Sequence, residues 1–130
     1  MPEVGYIVVC EEVYTGKDHS ETIIKKPLTA ITPYSVPGMF SFMLAFSLYD
    51  LNDGPHKVEV FFKTPNEEII LNQVLDFEFE AGSDDKFKDV TLNLKYNNTV
   101  FKQTGMHKVE VILNDKYKNR LLIPVLPLGE

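Results

Sequence analysis

Polar and apolar side chains alternate along most of this chain, and one alternating heptapeptide occurs twice. Residues 54–60 read Gly-Pro-His-Lys-Val-Glu-Val, and residues 105–111 read Gly-Met-His-Lys-Val-Glu-Val. Because successive side chains point to opposite faces of a β-strand, each copy predicts a strand with one buried and one solvated face. The glycine that opens each copy indicates a turn before the strand.

The strongest strand signal covers residues 39–49. One parity carries only large apolar side chains: Phe40, Phe42, Leu44, Phe46 and Leu48. The other parity is small and weakly polar: Met39, Ser41, Met43, Ala45 and Ser47. Burying each large side chain contributes roughly 1.5–3 kcal/mol, so we expect this strand at the centre of the core. Because this face is only weakly polar, we expect something to cover part of it.

Three other segments carry informative patterns. Residues 4–12 are apolar on both parities over five positions, which predicts a strand covered on both faces. Pro124 cannot donate a ladder hydrogen bond, so the last strand is predicted to lie at a sheet edge. Residues 69–79 alternate, with Ile69, Leu71, Gln73, Leu75, Phe77 and Phe79 predicted to point inward. The acidic residues of the other parity, Asp76, Glu78 and Glu80, are typical of an exposed or edge surface protected from aggregation.

Seven to nine strands at this spacing predict an all-β fold. We expect an immunoglobulin-like sandwich of two antiparallel sheets, formed by a single domain over residues 1–130. The two heptapeptides are interpreted as the third and sixth strands of such a sandwich. They would then lie side by side and antiparallel, each followed by a hairpin.

Composition and charge narrow the class of protein. With 130 residues, 44% of them hydrophobic, the chain can bury a core without a disulfide or a metal. The net charge of −6 and the lack of a basic stripe argue against nucleic acid as a partner. The sequence shows neither a signal-peptide pattern nor a membrane-length apolar run, so we expect a cytoplasmic protein without a membrane partner. The single cysteine, Cys10, is expected to be a small buried hydrophobe.

The two histidines of the heptapeptides, His56 and His107, are candidate metal ligands. The predicted topology argues against a joint site, because equivalent positions on antiparallel neighbours lie at opposite ends, on the order of 20 Å apart. Both histidines share the parity of the buried valines, so we interpret them as structural residues at the rims of the core. His107 also occupies the place where immunoglobulin-like sandwiches carry a tyrosine corner. Parallel strands would restore the metal hypothesis.

Three carboxylates, Asp84, Asp85 and Asp89, offer oxygen ligands for calcium. Their spacing does not match an EF-hand loop, and Lys86 and Lys88 interrupt the cluster. A solvated loop with local ion pairs is therefore the favoured interpretation, and a calcium site the alternative.

Other candidate features have ordinary interpretations. The tyrosines at residues 14, 34, 49 and 117 could form a platform for a sugar, but tyrosines near strand ends commonly pack with a solvated hydroxyl. Residues 97–99 match the N-glycosylation acceptor pattern, but we expect the match to be chance because the sequence shows no secretory signal. The chain lacks a phosphate-binding glycine loop, a Cys-x-x-Cys pair and a nucleophile elbow. We therefore expect neither enzymatic activity nor a cofactor.

The order of these features resembles a known family. An opening strand with an acidic pair (residues 8–12) is followed by a short strand (28–31) and a Val-Pro-Gly-Met-Phe-Ser-Phe entry into a long strand (36–42). The two heptapeptides follow, and the chain closes with Leu-Ile-Pro-Val (122–125). This resembles a family of small uncharacterised bacterial and phage-associated proteins, a domain of unknown function. The resemblance implies an immunoglobulin-like fold and a bacterial origin, and it supplies no catalytic residue.

The leading functional hypothesis is a non-enzymatic module that binds another protein, because a well-specified scaffold lacks any catalytic constellation. The candidate surface residues are Ser41, Met43, Ser47, Tyr117 and Pro124. The alternatives are a small-ligand domain for carbohydrate or calcium, and an enzyme that uses His56 or His107. Pairing of strand edges would also allow a homodimer.

Overall fold

The computed structural model describes residues 1–15, 22–80 and 89–128. Within these ranges the chain forms eight strands: β1 (Glu3–Thr15), β2 (Thr22–Pro27), β3 (Gly38–Tyr49), β4 (Gly54–Lys63), β5 (Ile69–Phe79), β6 (Val90–Phe101), β7 (Gly105–Leu113) and β8 (Tyr117–Val125). No helix in these ranges is long and apolar enough to cross a membrane.

The strands form two four-stranded sheets. One sheet has the order β2-β1-β3-β6 and the other has the order β5-β4-β7-β8. Every pairing between these strands is antiparallel. The chain is therefore an all-β, immunoglobulin-like sandwich, as the alternation predicts.

The two heptapeptides open β4 and β7, which lie side by side and antiparallel. The last residues of the two copies, Val60 and Val111, face each other across this ladder. Each strand continues into a hairpin, β4 with β5 and β7 with β8. Gly54 and Gly105 have φ angles of 117° and 114°, which only glycine adopts without strain, so both copies open with this residue.

The core lies between the sheets, and the large face of β3 points into it. Phe42, Leu44, Phe46 and Leu48 are at most 2% exposed. The Phe42 ring lies edge-on to Phe62 of the opposite sheet, with 5.6 Å between the ring centroids.

At the side of the sandwich where β5 and β6 lie, the Tyr96 hydroxyl donates to Gln73 Oε1 at 2.8 Å. Burial raises the pKa of Tyr96 to about 12.

The prediction that β1 is covered on both faces is confirmed. Val9 joins the main core. On the other face Cys10, Val13 and Ala45 form a second buried cluster, against which Val8, Ile24 and Met43 pack. The Val13 N–H donates to Met43 Sδ at 3.4 Å, so the far end of the β1–β2 hairpin lies over the outer side of β3. We call these six residues the outer cluster.

The prediction that Ile69 points inward is wrong, because its side chain is 53% exposed. The β4–β5 ladder changes register between Phe62 and Lys63, and this irregularity turns Ile70 toward the core instead. Farther along β5 the predicted alternation holds. Asp76 and Glu78 on this edge strand, and Glu80 just after its end, are exposed, as predicted.

The last strand, β8, lies at the edge of its sheet, as Pro124 predicts. Part of this edge is nevertheless occupied by the chain itself. The Ile31 N–H donates to the Pro124 carbonyl at 2.9 Å, and the Leu126 N–H donates to the Ile31 carbonyl at 3.0 Å. Farther on, the Leu128 N–H donates to the Pro33 carbonyl at 2.7 Å. The backbone beside Pro124 is therefore not free to pair with another strand.

Candidate functional site

The chain itself largely covers the small face of β3. Three of the predicted surface residues, Ser41, Met43 and Ser47, lie on this face. Met43 is half-buried under the β1–β2 hairpin. Ser47 is 2% exposed, and its Oγ accepts a hydrogen bond from the Tyr6 N–H at 2.9 Å. Only Ser41 is exposed, and its Oγ accepts from the Asn98 N–H at 2.8 Å. Ser47 therefore does not fit a docking surface.

A bulge in β1 is the reason that Ser47 is buried. The β1–β3 register shifts between Val4 and Ile7, so two residues of β1 oppose Ser47. One of them is Gly5, where a Cβ atom would overlap the Ser47 hydroxyl and the Tyr49 ring. A glycine at this position therefore lets the two strands approach closely enough to enclose the serine.

The other two candidate residues lie on β8. Tyr117 is half-buried at its start, with Lys116 Nζ 5.3 Å from the ring centroid. Pro124 is half-buried near its end, and its cross-strand neighbour is Met106. The two residues are separated by most of the strand, so they do not belong to one small patch.

Pro124 lies in a row of apolar side chains that starts on the outer face of β7 and β8 and runs past the end of β8 at Val125. Leu122 on β8 is 51% exposed, and Leu126 and Leu128, which continue the same parity beyond the strand, are 50% and 66% exposed. Met106, across the ladder from Pro124, is 52% exposed. The alternate residues Ile123 and Val125 are buried in the core. We call Met106, Leu122, Pro124, Leu126 and Leu128 the apolar stripe.

Two lysines and two glutamates border the apolar stripe. Lys63 Nζ lies 3.0 Å from Glu110 and 3.9 Å from Glu67. Lys108 Nζ lies 2.6 Å from Glu67 and 3.8 Å from Glu110. The hydrogen bond from Lys108 lowers the pKa of the Glu67 carboxyl. Lys108 is also the cross-strand neighbour of Leu122, so a closed, neutral ring of charges lies beside the apolar stripe.

Two further cations extend the line of the apolar stripe beyond Leu122, toward the start of β8. Lys118 and Arg120 have the parity of Leu122 and are exposed. Together with Glu110 and Asn119 they line an open depression of about 450 Å³. Within the ranges that the structure describes, neither cation forms an ion pair. Arg120 acts on Glu67 at longer range, where it helps to lower the pKa of that carboxyl.

His56 is held in one tautomer by its neighbours. The Asn114 Oδ1 accepts from the Lys57 N–H at 2.9 Å, which directs the Asn114 amide nitrogen toward the ring. His56 Nδ1 therefore accepts from Asn114 Nδ2 at 2.9 Å, and Nε2 donates to the Asn52 carbonyl at 2.6 Å. The ring is 7% exposed and joins the loop before β4 to the β7–β8 turn. The geometry is that of a structural residue.

His107 lies at the opposite end of the β4–β7 ladder from His56, as predicted. It is 1% exposed, and its Nδ1 donates to the Gly105 carbonyl at 2.9 Å. The ring lies edge-on to Phe62 and Phe101, with centroid distances of 6.2 and 5.9 Å. The two histidines are therefore not brought together.

The carboxylate candidates are mostly outside the described part of the chain. Asp84 and Asp85 lie outside the described residues, and Asp89 is exposed just before β6. In the residues that are described, no three His, Cys, Asp or Glu side chains come together as metal ligands would.

The four tyrosines considered as a sugar platform are not gathered in one place. Tyr34 is 81% exposed and lines a depression with Lys102 and Pro127. Tyr49 and Tyr117 lie at the other end of the sandwich, at the end of β3 and the start of β8. Tyr14 lies in the β1–β2 hairpin.

Cys10 is buried, as predicted. Its side chain is 0% exposed, and desolvation raises the pKa of the thiol. The Sγ donates to the Met43 carbonyl at 3.6 Å. A thiol in this setting is a packing residue rather than a nucleophile.

A protein-family model, described as a family of unknown function (DUF6941), matches residues 5–126. The chain belongs to this family. The predicted resemblance to a family of unknown function with an immunoglobulin-like fold is thereby confirmed. Comparison with curated proteins gives no match.

Three solved structures similar to the chain share little sequence with it. An immunoglobulin-like protein from Pseudomonas aeruginosa is 15% identical, with 97% of each chain covered and a TM-score of 0.45. An alkylpurine DNA glycosylase from Pseudomonas fluorescens, bound to DNA containing an abasic-site analogue, is 11% identical with a TM-score of 0.48. A β-glucosidase from Listeria innocua in complex with isofagomine is 10% identical with a TM-score of 0.49.

The last two of these proteins are much longer than this chain. The alignments cover 95% of this chain but only 30% of the glycosylase and 16% of the β-glucosidase. Their activities are therefore no guide to this chain.

Four of the five residues of the apolar stripe are not among the candidates predicted from the sequence, although the sequence contains a signal for most of them. Residues 121–128 read Leu-Leu-Ile-Pro-Val-Leu-Pro-Leu and are apolar at every position. The same pattern in residues 4–12 predicts cover on both faces of β1. Applied to β8, it predicts that something covers the outer face. Within the described residues, that face has no such cover.

Proposed function

We propose that this chain is a non-enzymatic interaction module that binds another protein on the apolar stripe. The observation that carries the proposal is the run of apolar residues at 121–128, whose outward members are half exposed or more apart from Pro124. A contiguous exposed apolar patch with a polar border is typical of a protein-binding surface.

The charged residues around the apolar stripe favour a protein as the partner over a nucleic acid. The ring formed by Lys63, Glu67, Lys108 and Glu110 is neutral and already paired, as in the polar rim of an interface. Nucleic acid is disfavoured by the net charge of −6. The two buried histidines have structural partners, which leaves them poorly placed for catalysis.

The family resemblance supports a bacterial or phage origin, and we place the chain in the cytoplasm. Fractionation of the source cells, followed by immunodetection of the chain, tests this placement. Recovery in the periplasmic or extracellular fraction would contradict it.

Affinity capture with matched variants tests the proposed function. The test variant, Leu122→Asp/Leu126→Asp, places carboxylates on the apolar stripe. The control, Val74→Asp, alters a residue with the same 50% exposure on the opposite edge strand. We expect a protein from the source lysate that wild type and the control retain and the test variant loses. Equal retention by all three proteins, each folded by circular dichroism, would refute the proposal.

A further inference from the structure

We infer that the partner of the apolar stripe carries carboxylates beside its apolar side chains, and that these carboxylates contact Lys118 and Arg120. The inference rests on the proposed function and specifies the chemistry of the partner. It follows from where the two cations lie on β8 and from which charges on this face are already paired.

The two cations and the apolar stripe form one continuous row. Lys118, Arg120, Leu122 and Pro124 occupy alternate positions of β8, so neighbouring members are about 6.6 Å apart along the strand. Their cross-strand neighbours on β7 are Ile112, Glu110, Lys108 and Met106. A partner segment that lies along the apolar stripe therefore reaches the cations without a change of direction.

Two exposed cations lie at the end of this row that is nearer the start of β8. Lys63 and Lys108 are paired with Glu67 and Glu110, so they add no net charge beside Leu122. Lys118 and Arg120 have no such pairing in the described part of the chain. Both cations are exposed and lie outside the ring of ion pairs, although Arg120 acts on Glu67 at longer range. Carboxylates on a partner complement this arrangement.

Glu110 is the one carboxylate in the depression between the cations, and its charge must be considered. Its Oε1 lies 3.0 Å from Lys63 Nζ and 3.8 Å from Lys108 Nζ. Lys63 and Lys108 therefore offset the negative charge that Glu110 brings beside Arg120, its cross-strand neighbour. An incoming carboxylate can contact the exposed Lys118 ammonium group and the exposed Arg120 guanidinium group.

A second copy of this chain is a weaker candidate for the occupant. Two copies whose rows met in parallel would bring Lys118 and Arg120 of one copy against the same residues of the other. A different protein with carboxylates avoids this repulsion.

Selection from a random peptide display library tests the inference with a defined probe. The full chain is used as bait in parallel with Leu122→Asp/Leu126→Asp and with the charge-reversed variant Lys118→Glu/Arg120→Glu. We expect wild type to enrich peptides that combine apolar residues with nearby Asp or Glu. Charge reversal should weaken binding of a selected acidic peptide about tenfold or more and should favour Lys- or Arg-containing peptides instead. Added salt should weaken the wild-type complex, because the Debye length is about 10 Å at 0.1 M ionic strength.

The outcomes separate this inference from the proposed function. Peptides that require Leu122 and Leu126 but show no preference for carboxylates would overturn the inference and leave the proposed function standing. No enrichment that depends on the apolar stripe would overturn both. Stripe-dependent sedimentation with phosphatidylserine vesicles, or a stripe-dependent dimer in analytical ultracentrifugation, would also overturn the inference, since a membrane or a second copy would then be the occupant.

Discussion

Two strands of this molecule, β1 and β8, carry apolar residues on both parities, and only one of them is covered on both faces. The outer side of β1 contributes Cys10 to the outer cluster, where Val13 from the β1–β2 hairpin closes over Ala45 of β3. The outer side of β8 presents the apolar stripe to solvent instead. The same sequence signal therefore occurs in a strand whose outer face is covered by nearby residues, β1, and in a strand whose outer face no described residue covers, β8.

The difference teaches that an apolar run on both parities indicates cover without saying where the cover comes from. For β1, the cover comes from nearby in the sequence: Val13 at the far end of the same strand and Ile24 of β2 complete the outer cluster. For β8, the outer side would have to be covered from elsewhere in the sequence or from another molecule. A partner protein is the source of cover that we propose.

The largest expected effect comes from placing a carboxylate on each of the two faces. Ala45→Asp buries a charge at a position that is 0% exposed, and it should lower the free energy of unfolding by roughly 3–5 kcal/mol. Leu122→Asp lies on the apolar stripe and should change stability by no more than about 0.5 kcal/mol. Urea unfolding followed by circular dichroism measures both. Similar losses for the two variants would mean that the faces do not differ in cover.

A smaller loss of stability is expected when a side chain that covers Cys10 is shortened. Val13→Ala removes two methyl groups from the outer cluster and should cost about 1–2 kcal/mol of stability. It should also speed the reaction of Cys10 with a thiol reagent under native conditions, because this thiol is 0% exposed in the intact protein. Leu122→Ala is the matched control and should change neither quantity. A labelling rate that is the same in Val13→Ala and in wild type would show that the hairpin does not protect Cys10.

The smallest effect concerns the ring of charges beside the apolar stripe. Lys108 lowers the folded-state pKa of Glu67 below its ordinary value of 4.5. The resulting stabilisation is present above pH 4.5 and is lost as the pH falls through the folded-state pKa. Glu67→Gln should therefore flatten the acid side of the stability profile, whereas Glu68→Gln, outside the ring, should not. Thermal unfolding from pH 6 to pH 3 distinguishes the two, and identical profiles would contradict the role given to Lys108.

Sequence alone predicts those parts of the fold in which a period of two continues unbroken. The faces of β3, the pairing of the two heptapeptides and the separation of His56 from His107 all follow from that period. The errors arise where the period is interrupted. A bulge opposite Ser47 and a register change beside Ile69 depend on contacts with a neighbouring strand, which local patterning does not contain.

The candidate site was harder to predict for a related reason. Pro124 was found through its missing N–H, which is a property of a single residue. The rest of the apolar stripe becomes a candidate only when the structure shows that nothing in the described chain covers it. Whether a face is covered depends on residues far away in the sequence or on another molecule. The apolar run at residues 121–128 therefore indicates that both faces should be covered, but it does not indicate what covers the outer one.

Methyl-resolved nuclear magnetic resonance with a soluble gadolinium chelate tests most directly whether one face is open and the other closed. The isolated chain should show strong paramagnetic broadening of the methyl signals of Leu122, Leu126, Leu128 and Met106. The methyl signals of Val13 and Ala45 should be nearly unaffected. Stripe methyl groups that are protected as well as that of Ala45 would contradict the account, because the outer face of β8 would then already be covered.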